Sequence, residues 1–147
     1  MKNIMRIVNQ FRDAIDSAMD AAEFNGETPF CRFPSRCCGV ASELLAHHLL
    51  MNGIRTQYVC GTYRDGSFEN TQSHAWLLMD SQIIIDITGD QFRFNPIFLN
   101  YNKPVYIGTG DDFHMLFEVE DRDVHGNFDL DTRQKMLYRK IVKYVND

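Results

Sequence analysis

The stretch SHAWLLMDSQIIIDITGDQF, residues 73–92, decides how this chain folds. Its two apolar runs are rich in β-formers, and the polar triplet Asp80-Ser81-Gln82 lies between them, so it reads as a β-hairpin. Two polar residues interrupt it, His74 on the first strand and Asp86 on the second. An unpaired carboxylate in the run IIIDIT would cost several kcal/mol to bury, on the order of other desolvated charges, so Asp86 needs a partner. If residues 80–82 form a three-residue connection, Met79 faces Ile83. His74 and Asp86 then project from one face of adjacent strands, one diagonal step apart. A two-residue turn would shift the register by one and put them on opposite faces.

Outward from the hairpin, the pattern is α+β. Ile4, Val8, Phe11, Ile15, Met19 and Ala22 recur at steps of three and four, which predicts an amphipathic first helix closed by Gly26 and Pro29. A proline-containing loop, ETPFCRFPSR, leads to a second helix in CCGVASELLAHHLLMNG. Its stripe is Val40, Leu44, Leu45 and Leu49, and Asn52-Gly53 ends it. RTQYVCGTY reads as a strand and RDGSFENTQ as a polar connection. KPVYIG and FHMLFEVE read as two further strands separated by the turn-rich TGDD. Asp131 with Gln134 has the spacing of a capping box, followed by the stripe Leu137, Ile141 and Val145. Helices, then mainly antiparallel strands, then a helix predict a sheet of about four or five strands with helices packed on it.

A length of 147 residues suits one domain, residues 1–147, with a single core. With 44% hydrophobic, 12% aromatic and 24% charged residues, the composition is that of a soluble folded protein. The net charge of -5 and the scattered Lys and Arg provide no basic stripe, which argues against nucleic acid as a partner. Acidic residues recur through the first 24 positions, which therefore read as part of the fold rather than a targeting segment. No run approaches the ~20 apolar residues of a membrane span, so no membrane partner is expected. Four cysteines, at 31, 37, 38 and 60, in a chain with this much core point to a reducing, cytoplasmic location with free thiols.

Cys37 and Cys38 open the second helix, where unpaired N–H groups and the helix dipole stabilise a thiolate. An imidazole nearby can take the thiol proton, and a carboxylate behind it orients the ring. Helix geometry does not choose between the two cysteines. Gly39, which removes a side chain where a carbonyl would approach, favours Cys38. Cys31 and Cys60 read as small buried hydrophobes, and Asp90 as a turn residue. Zinc on Cys31, Cys37, Cys38, His47 and His48 is disfavoured: no C-x₂-C pair exists, and His47 and His48 lie about 100° apart around a helix. His47 is placed on the solvent face and His48 at the edge of the apolar stripe. No metal or cofactor is expected.

Over residues 33–118 the chain resembles the transglutaminase-like and papain-like cysteine enzyme superfamily in its small bacterial forms. The resemblance lies in FPSRCCGVASELLAHHL, in SHAWLLMD and in IIIDITGDQF, with HAW and an aspartate twelve residues on as its most specific element. PVYIG and FHMLFE resemble the closing strands. The resemblance implies a papain/transglutaminase-like fold, with Cys38 as nucleophile, His74 as general base and Asp86 as the orienting residue. It implies a thiol-dependent acyl-transfer enzyme acting on a peptide or protein amide through a thioester, by hydrolysis (peptidase or glutamine deamidase) or by transfer to an amine. The same fold could instead serve as an inactive binding module. Papain-type enzymes carry an oxyanion glutamine before the nucleophile, and PFCRFPSR has none. The Cys38 backbone N–H, with Gln72 or Gln91, is the substitute considered.

Overall fold

The computed structural model describes residues 1–26, 30, 33–34, 38–64, 71–123 and 130–145. Among them are three helices, α1 (Lys2–Asp20), α2 (Cys38–Met51) and α3 (Thr132–Val142). Five strands, β1 (Gln57–Arg64), β2 (Thr71–Met79), β3 (Ile83–Asp86), β4 (Tyr106–Gly108) and β5 (Glu118–Asp123), form one antiparallel sheet in the order β4-β3-β2-β1-β5. The chain is thus α+β.

The predicted turn sets the register of the central hairpin. Met79 faces Ile83, Leu78 faces Ile84 and Leu77 faces Ile85, leaving Asp80, Ser81 and Gln82 as the connection. Asp80 and Ser81 both take left-handed backbone angles, with φ of 54° and 63°, and Gln82 N–H bonds back to the Met79 carbonyl at 3.2 Å. This turn matches the right-handed twist of the strands at the cost of two non-glycine residues in a disfavoured region.

β2 is buried on both faces, which explains why AWLLM shows no polar alternation. Leu77, Met79, Ile85 and Ile87 join the main core with Phe11 and Ile15 of α1, Leu44, Leu45 and Leu49 of α2, and Leu137 and Ile141 of α3. Trp76, Leu78 and Ile84 point the other way, into a mainly aromatic second core with Val59, Phe92, Phe98, Tyr101, Phe113 and Phe117. Much of this second core comes from the connections after β3, which contain the 3₁₀ turns Gly89–Phe92, Pro96–Phe98 and His114–Leu116.

Several predicted boundaries move. α1 stops at Asp20, so Ala22 is exposed, with φ of 62°, instead of extending the apolar face. β2 begins at Thr71, two residues earlier than the sequence suggests, while 65–70 of the polar connection fall outside the described residues. β3 ends at Asp86, and Ile87-Thr88 leave the sheet. In FHMLFEVE, His114–Leu116 form a 3₁₀ turn and the strand starts only at Glu118. The alternation that suggests a strand comes there from Phe113 and Phe117 filling the aromatic core. α2 ends as expected: Gly53 has φ of 79°, and Ile54 N–H returns to the Leu49 carbonyl at 2.9 Å. The Asp131–Gln134 capping box caps α3, and Val145 lies beyond its end, half-buried.

The hairpin turn yields a stability prediction. Ser81→Gly should raise unfolding free energy by about 0.5–1 kcal/mol, because glycine adopts the left-handed conformation without Cβ strain. Ser81→Val should lower it by a similar or larger amount. Urea denaturation checks both, and a stabilising valine would contradict the turn geometry.

Candidate active site

Asp86 is the last residue of β3 and is 1% exposed. With β2 and β3 in the observed register, His74 lies one diagonal step away on the same face. Its Nε2–H donates to Asp86 Oδ2 at 2.7 Å. The other carboxylate oxygen, Oδ1, accepts the Thr88 backbone N–H at 2.9 Å. His74 is fully buried, boxed in by the rings of Trp76, Phe92, Phe113 and Phe117 at centroid distances of 5.2 to 5.7 Å. Water is kept off the pair, so each charge depends on its protein partners.

Cys38 is the first residue of α2 and is half-buried. Its thiol hydrogen-bonds the His74 ring, and the Ala75 backbone N–H donates to the sulfur. Nε2 of His74 is committed to Asp86, which leaves Nδ1 to face the thiol. The early end of β3 makes this contact possible. Ala75 lies beyond the paired part of the β2–β3 ladder, and its polar groups turn to α2: the carbonyl accepts from Ser42 Oγ at 3.4 Å while the N–H meets Cys38. The first turn of α2 thus takes the place that a longer β3 would fill.

The electrostatics shift the pair toward thiolate and imidazolium. Burial works against the charged ring of His74, but the Asp86 charge and the hydrogen bonds to Asp86 and Cys38 outweigh it, pushing the imidazole up to about 9. Burial also opposes ionisation of Cys38. The His74 hydrogen bond and charge and the Ala75 N–H prevail, holding the thiol below its ordinary range. For Asp86, burial is outweighed by the His74 charge and by hydrogen bonds from His114 and His74, so the carboxyl is held far below the usual range.

Two further groups meet the triad. The Gln91 side-chain amide lies 3.1 Å from His74 Nδ1, on the thiol's side of the ring. Of the two glutamines considered from the sequence, Gln91 is the one at the site. Gln72 is exposed on β2. Gln91 sits in the 3₁₀ turn Gly89–Phe92, which is clamped by Arg12 of α1. Arg12 donates to both Asp90 carboxylate oxygens at 3.0 and 2.9 Å and to the carbonyls of Ile87 and Pro104 at 2.7 and 3.1 Å. Asp90, expected as a simple turn residue, is therefore the anchor of a mostly buried ion pair. Gly89 is required beside it: a Cβ there would lie 2.5 Å from the Tyr101 ring. Sequence reading gave no sign of Arg12, because one cation on a helix normally faces solvent.

The other group is His114. Its Nε2 lies 2.7 Å from the same Asp86 Oδ2, and its Nδ1 lies 2.6 Å from Asp111 Oδ1, both within hydrogen-bonding distance. A usable signal was the D-x-x-H spacing in DDFH, which lets Asp111 accept the His114 backbone N–H at 2.7 Å and cap the turn. Reading FHMLFEVE as a strand concealed it.

Cys37 and Cys31 lie outside the described residues. Cys60 is half-buried in β1 rather than fully enclosed. His48 bonds the Tyr138 hydroxyl at 2.8 Å and stacks on Phe11, while His47 is half-buried edge-on to Tyr138 rather than on the solvent face. A Cβ at Gly39 would meet the Tyr58 hydroxyl at 3.2 Å, so the space beside this residue is shared with Tyr58. A different trio, His74, Asp86 and His114, offers one ligand atom each within 4.8 Å of one another, a donor set suited to a divalent metal. As arranged, both imidazoles approach one Asp86 oxygen at 2.7 Å, the length of a charge-assisted hydrogen bond.

In comparisons with known proteins, no family model, curated protein or solved structure matches the chain. Among the described residues, no helix is long and apolar enough to cross a membrane.

The buried pair imposes a pH signature on stability. Asp86 is depressed below its ordinary 3.8, so its contribution is present above that value and is lost as pH falls. His74 is raised from 6.5 to about 9, so its contribution is whole below 6.5 and is lost as pH rises through about 9. The difference in unfolding free energy between wild type and Asp86→Asn should therefore be largest between about pH 4 and 6.5, on the order of 3–5 kcal/mol. It should shrink on both sides. Urea titrations across pH measure it, and a difference independent of pH would contradict the ion pair.

Proposed function

We propose that this protein is a thiol-dependent acyl-transfer enzyme that hydrolyses an amide of a peptide or protein through a thioester. Cys38 is the nucleophile, His74 the general base and acid, and Asp86 the residue that orients His74. The observation that carries this reading is the hydrogen-bonded series of a helix-opening thiol, a buried imidazole and a buried carboxylate, with the thiol lowered and the imidazole raised. We place the chain with the transglutaminase-like and papain-like cysteine enzymes on the same ground, in a reducing, cytoplasmic setting.

The Cys38 thiolate adds to the amide carbonyl carbon, and the developing oxyanion accepts hydrogen bonds from the Cys38 backbone N–H and the Gln91 amide. His74 gives its Nδ1 proton to the amine as the C–N bond breaks, leaving a thioester. Water then adds to the thioester, passing a proton to His74, and the C–S bond breaks to release the acid and restore the thiolate. Asp86 holds Nε2 throughout. Hydrolysis is preferred over transfer to an amine because water needs no second binding site. An inactive binding module of the same fold would have no need for a lowered thiol.

Alkylation with iodoacetamide at pH 6, read by mass spectrometry, tests the assignment. Cys38 should label at least tenfold faster than Cys31 and Cys60, as a depressed thiol would, and His74→Ala should abolish that selectivity. Equal, slow labelling of all four thiols in the folded protein would sink the proposal. Labelling concentrated at Cys37 would keep the mechanism and transfer the nucleophile's role.

A further inference from the structure

Asp86 Oδ2 accepts two imidazoles, not one. Only His74 has a place in the acyl-transfer scheme, so the second ring calls for its own account. His114 is 4% exposed and has a carboxylate at each ring nitrogen. The ring is thus held between two carboxylates, one at each end. Asp111, whose side chain is 20% exposed, is itself held by the His114 backbone N–H at 2.7 Å and by the Tyr101 hydroxyl at 3.3 Å. The result is a chain of five groups, Cys38, His74, Asp86, His114 and Asp111, in which imidazole rings alternate with acidic groups from near the surface to the thiol.

We infer that His114, held by Asp111, is a second positioning residue for the thiol, fixing Asp86 and balancing its charge so that His74 is set correctly against Cys38. This inference rests on the proposed acyl-transfer function and extends it beyond a three-residue site.

The geometry supports the assignment in two ways. Among the described residues, the carboxylate at the end of this four-residue strand has one backbone anchor, Thr88 N–H on Oδ1, and the two rings on Oδ2. Removing His114 would free the carboxylate to swing and would leave its negative charge opposed by His74 alone. That charge also bears on the thiol: Asp86 opposes ionisation of Cys38, whereas His114 lies against Asp86 and offsets it. Loss of His114 should thus make the Cys38 thiolate harder to form. The titratable groups facing His114 are Asp86, His74, Asp111, Tyr101 and Tyr106, with Lys103 behind the two tyrosine rings. Both tyrosines are raised, burial being the largest cause, so they stay neutral across the pH range of the test.

The test is the rate–pH profile of Cys38 alkylation by iodoacetamide from pH 4 to 9, with a thermal melt of each protein. The variants are His114→Phe, which keeps an aromatic ring in the second core, and Asp111→Asn, which lies nearer the surface. In wild type the acid limb should lie below that of an ordinary thiol. His114→Phe should move the limb up by about one unit, a roughly tenfold slower reaction at pH 6. Asp111→Asn should move it the same way by less. A purely structural role would lower the melting temperature and leave the limb in place, so profiles that superimpose on wild type overturn the inference. Should His114→Phe fail to fold, the Asp111→Asn profile decides. A wild-type limb at the ordinary thiol position would overturn the acyl-transfer reading along with this one. A depressed, His74-dependent limb that ignores both variants would overturn only the role of His114.

Discussion

The buried carboxylate of Asp86 is the constraint on which the rest of the site depends. At 1% exposure it is almost wholly removed from solvent, and among the described residues it is met by His74, His114 and the Thr88 backbone N–H. Burying a charge this deeply costs several kcal/mol unless it is paired. The pairing determines what surrounds it. His74 must lie across the strand, the chain after β3 must turn at once so that Thr88 N–H can reach back, and the segment before β5 must form a 3₁₀ turn to bring in His114. Aromatic rings fill the remaining space and keep water away.

This constraint explains why the sheet is covered on both sides. The helices bury one face with aliphatic side chains, as in many α+β domains. The other face, where His74 and Asp86 point, is closed by connecting segments rather than by helices. A thiol on a helix of the first layer can meet an imidazole on the second only where the sheet is interrupted. β3 provides that interruption by stopping at Asp86, and Ala75 marks it by turning its backbone groups to the first turn of α2. Arg12 ties the opposite side of the same interruption to α1 through Asp90 and the Ile87 and Pro104 carbonyls.

Much of this was legible in the residues themselves. Two apolar runs, a three-residue turn and a twelve-residue interval put His74 and Asp86 on one face, because side-chain direction in a strand alternates strictly. Helical periodicity located α1, α2 and α3, and the capping box located the start of α3. His114 was not legible as a partner of Asp86, since it lies 28 residues away and no local rule relates such separations. The clamp by Arg12, 78 residues from Asp90, was hidden for the same reason. The strand expected over FHMLFEVE begins only at Glu118, because Phe113 and Phe117 reach the aromatic core equally well from either side of a 3₁₀ turn.

By itself the sequence determined the three helices, the central hairpin and the three chemical groups, and it narrowed the hairpin register to two according to turn length, since these depend on local periodicity and the cost of an unpaired buried charge. Tertiary structure alone decided that β3 stops at Asp86, that the first turn of α2 enters the gap, and that a second imidazole shares the carboxylate. Those features arise from competition among distant segments for the same space and the same hydrogen-bonding atoms. Such competition is settled only when the whole chain has packed.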